Sequence, residues 1–239
     1  MKLIQLNLWY GRLLMNAVRF LEKSPPDILC LQEVMGNDHA DEFNFNNLQV
    51  LTKKLGYAHA FFSPAIDFST GDSTTFFGNA VLSRHPIDPV KTVFTHGEYR
   101  SGFSFKQREK LPWNFQHAVI NGTHIINHHG FWVDGPKLGN DDTMRQMGMV
   151  ADYISDLSGP VIFCGDLNLW PGTTSLKRFD DTMRNLVTEY GVTTTRNFTA
   201  FKDIEICDYI FVNDQVKVNG FKVHDDVVSD HSMLELDFA

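Results

Sequence analysis

The sequence predicts an α-and-β layered sandwich in one domain, and three observations carry that prediction. Apolar runs of strand length are interspersed with segments of helical periodicity, an Asn121-Gly122 pair marks a hairpin, and polar residues gather where the apolar runs end. At 239 residues with 43% apolar composition, the chain supplies enough core for a single unit over residues 1–239.

Taken in order, Leu3 to Leu8 reads as a strand, and Gly11 breaks it before a helix with apolar residues at Leu14, Ala17, Val18 and Leu21. Pro25-Pro26 ends that helix. Ile28 to Leu31 is expected as a buried strand that delivers Gln32 and Glu33 at its carboxyl end. Leu48, Leu51 and Leu55 form one face of a short helix capped by Gly56, and Tyr57 to Phe62 returns to strand. Gly78 to Ser83 is a further strand, closed by His85-Pro86. Residues 95–115 have little periodicity and predict a long surface loop or hairpin, carrying Arg100, Lys106, Arg108 and Lys110 near Phe103, Phe105 and Trp113. His117 to Ile120 and His124 to Asn127 pair across the Asn-Gly turn. Met147, Val150, Ala151 and Ile154 give a helix face, stopped by Ser158, Gly159 and Pro160. Val161 to Cys164 then forms a buried strand ending at Gly165. Leu176, Phe179, Met183, Leu186, Val187 and Tyr190 give one more helix face, stopped by Gly191. Ile210 to Val212, Val216 to Val223 and the alternating Leu234 to Phe238 complete the strands.

Composition excludes some classes of function. With 29 acidic and 21 basic residues the formal charge is -8, so the global field repels phosphate and argues against a general nucleic-acid coating protein. It leaves room for an enzyme whose bound metal inverts the local sign. Cys30, Cys164 and Cys207 lie in or beside apolar runs without metal-ligand spacing, as expected of reduced core thiols. No signal-peptide hydrophobic region opens the chain and no run reaches the ~20 apolar residues of a membrane span, so a cytoplasmic monomer is the expectation.

Chemistry concentrates at the strand ends: Asn7, Glu33, His128-His129, Asp166 with Asn168, Asp208, and Asp230-His231. Singly, most have a plain account. Asn7 can cap a turn, Glu33 can mark a strand leaving the core, and Asp166 and Asn168 can make a turn. Asp208 is harder to explain that way, because it sits inside the buried-looking run from Cys207 to Val212 and a buried charge needs a partner. In extended backbone Asp166 and Asn168 would project to the same side, one able to take a proton and the other to hold a water or a substrate oxygen. Several carboxylates with carboxamides make a hard oxygen site suited to Mg²⁺ or Mn²⁺, and the lack of Cys ligands or a His-x-x-x-His helix argues against zinc. Neither a Gly-x-Ser-x-Gly elbow nor a Walker loop competes for the role.

Asn7, Leu31-Gln32-Glu33-Val34, Gly78 to Arg84, Asn127-His128-His129, Gly165-Asp166-Leu167-Asn168, Asp208 to Val212 and Ser229-Asp230-His231-Ser232 resemble, in this order, the motifs of the endonuclease/exonuclease/phosphatase superfamily. The resemblance implies an α+β fold, a four-layer α/β/β/α sandwich of two packed mixed sheets flanked by helices, as in deoxyribonuclease I. It implies Glu33 as the main Mg²⁺ ligand with Asn7 beside it and Asp230 assisting. By the same resemblance Asp166 orients or deprotonates the attacking water, and Asn168 holds that water or a phosphate oxygen. His231, held by Asp208, binds phosphate, and His129 contacts it from the other side. His128 is the rival to His129, because family members often have Thr-His here. Cys207 stands where a β-branched aliphatic residue is usual, and Arg145 with Gln146 reads as a structural helix face. The implied function is Mg²⁺-dependent hydrolysis of phosphodiester bonds, as an endonuclease or exonuclease on nucleic acid, with the basic loop of residues 100–113 tracking the backbone. The alternatives are a phosphatase or phosphodiesterase on a small-molecule or lipid phosphate, and a non-catalytic binder of the same fold.

Overall fold

The computed structural model describes residues 1–37, 46–70, 72–132, 135–197 and 205–239, with the side chains of Thr70 and Arg108 outside that set. The elements in chain order are β1 (Lys2–Asn7), α1 (Leu14–Lys23), β2 (Ile28–Asn37), α2 (Asn47–Leu55), β3 (His59–Thr70), β4 (Ser73–Ser83), β5 (Val90–His96), β6 (Trp113–Ile120), β7 (Thr123–His129), α3 (Asp141–Ser155), β8 (Val161–Asp166), α4 (Lys177–Thr182), β9 (Arg184–Asn185), α5 (Leu186–Glu189), β10 (Asp208–Val212), β11 (Val218–Val223) and β12 (Leu234–Phe238).

Two six-stranded sheets result, ordered β11-β12-β1-β2-β4-β3 and β5-β6-β7-β8-β10-β9. Each is mixed: β1 with β2 and β7 with β8 run parallel, and the other pairs are antiparallel. Alternation along the strands explains the layering. In β1 and β2, Ile4, Leu6, Leu29 and Leu31 join Leu14, Ala17, Val18 and Leu21 of α1 and Leu51 and Leu55 of α2 in one core cluster. Leu3, Ile28 and Cys30, on the opposite faces, belong to the cluster shared with the second sheet, its Phe115, Ile125 and Phe163, and the α3 to α5 side chains Met147, Phe179 and Leu186. The stack is therefore helices, sheet, sheet, helices. No helix among the described residues is long and apolar enough to cross a membrane.

Towards one edge of the sandwich the inter-sheet layer turns polar. Gln5 Nε2 donates to Gln32 Oε1 at 2.8 Å, Gln32 Nε2 to Asn127 Oδ1 at 2.6 Å, Asn127 Nδ2 to Gln116 Oε1 at 2.9 Å, and Gln116 Nε2 to Ser63 Oγ at 3.0 Å. These four amides are buried, and each broken link would strand a polar group at about 1–3 kcal/mol. The ladder crosses from one sheet to the other and fixes their register where the functional groups lie.

Four local expectations need correction. β2 does not stop before Glu33: it continues to Asn37 across a register shift between Leu31 and Val34, with Glu33 at φ 54° in the bulge. Residues 95–115 are not a free surface loop. The Arg100 backbone exchanges hydrogen bonds with Ala65 and Asp67 of β3, and the Asp67 carboxylate accepts from Gly102 N, Ser101 Oγ and Tyr99 Oη. That clamp holds Phe103 against Ile66 and Phe77. The single helix expected over residues 176–190 is broken, because Arg184 and Asn185 pair with Val212 and Phe211 as an edge strand, and Asn185 then caps α5. Finally, Asn168 is not extended but lies at φ 53°.

Candidate active site

The polar edge opens into a cavity of about 510 Å³ whose lining includes Glu33, His129, Asp166, Asn168, Asp230 and His231. These groups come from four separate stretches of the chain, at a bulge, strand ends and turns, and two backbone features bring them level. β7 and β8 close up at Gly165, where a Cβ would lie 1.8 Å from the His128 carbonyl oxygen, so only glycine fits, and its φ of +148° suits it too. His129 therefore pairs in register with Asp166. The bulge in β2 turns Glu33 inward from a strand that otherwise alternates.

Asp166 is buried and fully engaged. Its Oδ1 accepts Asn168 N at 3.0 Å, the Asx-type bond that sets the left-handed Asn168, and its Oδ2 accepts Asn7 Nδ2 at 3.0 Å. Burial alone would raise this carboxyl, but the cations beside it, His231 first and then Arg196, reverse the effect and hold it below the ordinary range. Asn168 donates through Nδ2 to Gly130 O at 3.3 Å. Asn7 also receives Trp9 N on Oδ1 at 2.9 Å, and its carboxamide sits between the carboxyls of Asp166 and Glu33.

Asp208 lies wholly buried at the start of β10 and is ringed by donors. Its Oδ1 accepts Gln5 Nε2 at 3.0 Å; its Oδ2 accepts His231 Nδ1 at 2.8 Å and Thr195 Oγ1 at 2.9 Å. Thr195 Oγ1 itself receives Cys207 N and Asp208 N, so its hydrogen points at the carboxylate. Burial pushes Asp208 upward, yet a group with only donors around it keeps the acceptor form, and the proton resides on His231. Burial works against that imidazolium too, but Asp208 and then Asp166 outweigh it and push the histidine up to about 9. His231 Nε2 is thereby directed at Asp166 Oδ2, 3.6 Å away.

His129 behaves oppositely. Its Nε2 stands 3.7 Å from Asp166 and 3.9 Å from Glu33, the Trp113 ring meets it edge-on at 4.6 Å, and burial pushes it down to about 4 despite Asp166. His128, the rival, is fully buried with Nδ1 on Asn114 O at 3.0 Å, outside the cavity lining. Gln146 is structural, accepting Phe131 N at 2.7 Å and donating to Thr95 Oγ1, and Arg145 is an exposed partner of Asp142.

The family model described as the Endonuclease/Exonuclease/phosphatase family matches residues 4–231. The chain belongs to this family. Its members are hydrolases of phosphoester bonds, typically dependent on a divalent metal. In sequence the chain is 29% identical over 167 residues to a protein of Escherichia coli strain K12 called uncharacterized protein YbhP, a match covering 66% of this chain and 58% of that relative. In structure it superposes on a mannosyl-6-phosphatase of Bacteroides thetaiotaomicron with a TM-score of 0.73 at 15% identity, over 100% of this chain and 99% of that one. It also superposes on an AP endonuclease of Archaeoglobus fulgidus with a TM-score of 0.69 at 17% identity, again over 100% and 99%. The fold is thus that of the family, shared by members with unlike substrates.

The donor set fits a hard dication. Glu33 Oε2 is buried without a hydrogen-bond partner, and burial pushes the carboxyl up to about 7, with His231 and Asn7 pulling it back only in part. Such a carboxylate is uncomfortable alone and matched by a cation. Asp166, Asp208 and His231 also lie within 4.8 Å of one another. That trio is closed by its own hydrogen bonds, with both imidazole nitrogens carrying protons, so it reads as an acid-base relay and Glu33 as the metal position. Asp230 reaches the same space, but its Oδ2 accepts Arg196 Nη2 at 2.9 Å, which divides it between the two roles.

Sequence reasoning missed several residues of the site. Gln5 and Thr195 orient Asp208, yet each sits in an ordinary strand or turn context. Trp9 and Tyr10, both at positive φ two and three residues after Asn7, form part of an aromatic wall with Phe103, Phe105 and Trp113. Two cations, Lys137 and Arg196, also line the cavity. A Trp-Tyr pair one residue beyond a strand-end Asn was the only local signal.

Proposed function

We propose that the protein is a Mg²⁺-dependent hydrolase of phosphodiester bonds, with nucleic acid as its substrate class and Mn²⁺ as a substitute ion. The observation that carries this reading is the convergence, on one cavity, of an unpartnered carboxylate oxygen at Glu33, an ionised Asp166 and a protonated His231. Glu33, with Asn7 and one oxygen of Asp230, would hold the ion, which when bound neutralises charge on the phosphoryl oxygens. Asp166 accepts the proton of the attacking water, since Asn7 and the Asn168 amide fix the orientation of its two oxygens. Asn168 holds that water or a phosphate oxygen through its carboxamide. His231 offers Nε2–H to the phosphoryl group as negative charge builds there, kept in that orientation by Asp208. His129, neutral, adds a contact without adding charge.

The nucleic-acid preference is supported by the aromatic wall, since each stacked base gains about 1–3 kcal/mol on a ring face. A second reading, a phosphatase or phosphodiesterase acting on a small molecule, is favoured by a different observation. Lys106 and Lys110 are exposed but outside the cavity lining, so the expected phosphate track does not lead into it, and the mannosyl-6-phosphatase shares this fold. Turnover of single-stranded DNA, duplex DNA, RNA, a chromogenic diester, a lipid diester and sugar phosphates, with Mg²⁺ or with chelator, separates the two. The proposal expects diesters to be preferred and chelator to abolish the rate. Full activity in excess chelator ends the metal assignment, and faster cleavage of sugar monophosphates ends the diester assignment.

A further inference from the structure

Arg196 is the strongest feature of the cavity that the reading above leaves without a role. It lies between α5 and β10, and its backbone bridges to His231, flanked by Ser232 N on Thr195 O at 2.8 Å. The side chain is therefore tied to the same short segment as Asp230 and His231. Its Nη2 donates to Asp230 Oδ2, its Nη1 meets His231 Nε2, and its Nε is buried with no partner among the described residues. A guanidinium has five N–H donors and no acceptor. His231, held through Nδ1 by Asp208, turns its Nε2 edge to the same point of the cavity. Arg196 Nη1 and the Nε2 edge of His231 thus meet at one place in the cavity lining, with Asp230 bracing the guanidinium from its other side.

An ion pair with Asp230 alone does not account for this arrangement. It engages Nη2 alone, whereas the side chain also lines the cavity beside Asp166 and His231. Arg also contributes to keeping Asp166 ionised, so it acts electrostatically on the group beside the reacting centre.

We propose that Arg196 takes a non-bridging oxygen of the substrate phosphoryl group together with His231, and that Asp230 holds the guanidinium in position for it. The inference rests on the hydrolase reading and adds to it the residue that sets phosphate affinity. Charge-assisted bonds from a planar fork are directional, so lysine should not replace it fully.

The test is calorimetric binding of inorganic phosphate to the whole chain with Mg²⁺ present, for the parent, Arg196→Gln, Arg196→Lys and Lys106→Ala, alongside melting and Mg²⁺ binding. Losing one to two charge-assisted bonds should weaken phosphate binding by about 10- to 100-fold in Arg196→Gln. Arg196→Lys should recover only part of that loss. Mg²⁺ affinity should change little in either, and Lys106→Ala should match the parent. Unchanged phosphate affinity in folded Arg196→Gln, or full recovery by lysine, overturns the proposal, as does an equal loss in Lys106→Ala. Should Arg196→Gln fail to fold, the lysine variant decides by the same comparison. Phosphate binding that depends on Arg196 without turnover of any ester keeps this site and overturns the hydrolase reading instead. A parent that binds no phosphate overturns both.

Discussion

Histidines occupy both ends of the second sheet, and their company differs. At the cleft end, where His129 pairs with Asp166, His231 is bonded through Nδ1 to an ionised carboxylate and is pushed up to about 9. At the other end, where His124 pairs with Val161, His117 lies between Tyr153 Oη and His124 Nδ1, each at 2.8 Å. His124 Nε2 faces the Ser158 carbonyl at 3.0 Å, so it carries a proton. Neither of the two contacts at His117 gives it an acceptor with negative charge. Burial, with His124 and Lys91 adding to it, pushes His117 down to about 4. Both histidines are buried, so burial does not decide their charge. What decides it is the directly bonded partner: an acceptor-only carboxylate keeps the proton on, and partners without negative charge leave burial unopposed. His129 supports the point, since carboxylates at 3.7 and 3.9 Å without a hydrogen bond do not keep it charged.

The largest effect that would break this contrast belongs to the cleft end. His231→Ala should lower turnover on the order of 10²–10⁴ and also lower melting, since it strips the buried Asp208 carboxylate of its charged partner, and Asp208→Asn should cost much of the same turnover. The double variant should be hardly slower than either single one, because the pair acts as a unit. Fully multiplicative losses would show that Asp208 does not act through His231.

Next in size is Glu33→Gln. Removing a buried, unpartnered carboxylate oxygen should weaken Mg²⁺ binding by about 10-fold or more, read by calorimetry, and reduce turnover with it. In excess chelator the same variant should melt above the parent, since the neutral amide escapes the cost of burying charge. A lower melting point in chelator would mean that Glu33 has an internal partner and is no ligand.

Gln5→Leu sharpens the comparison from the side of the amide ladder. It strands Gln32 Oε1 and one oxygen of Asp208, so about 2 kcal/mol of stability should be lost, near 4–8 °C in melting for a chain of this size. Turnover should fall about 10-fold as Asp208 loosens. Equal melting points for variant and parent would remove the ladder from the account.

The smallest effect lies at the hairpin end and leaves turnover unchanged. The folded pKa of His117 is below its unfolded value, so between about 4 and 6.5 the unfolded chain binds the extra proton and stability rises with pH. The contribution is lost as pH falls through that window. His117→Gln should flatten the slope of stability against pH there by one group, leaving the share of His128 and His129, which are also pushed down to about 4. An unaltered slope, followed by urea unfolding at several pH values, would assign His117 no part in it.

Much of this molecule is local in origin. The alternation of Leu3, Ile4 and Leu6 and of Ile28 to Leu31 specifies strands buried on both faces, and the period of Leu14 to Leu21 specifies a helix lying on one of them. Asn7, Glu33, Asp166, Asp208 and His231 were legible because polar residues ending apolar runs are costly unless they act together. What periodicity could not supply was the backbone at Glu33 and Asn168, where a bulge and a left-handed turn replace the extended chain, since no glycine or proline marks either position. Neither could it supply Arg196, Gln5 or Thr195, whose partners are set by sheet packing. Gln5 meets Asp208 and Asn7 meets Asp166 across separations of 203 and 159 residues. A residue's pattern of burial is written in its neighbours along the chain, so the sequence determined the layers and the polar strand ends. Which proton sits where, and which cation faces which acid, depends on contacts that exist only after the two sheets close on each other.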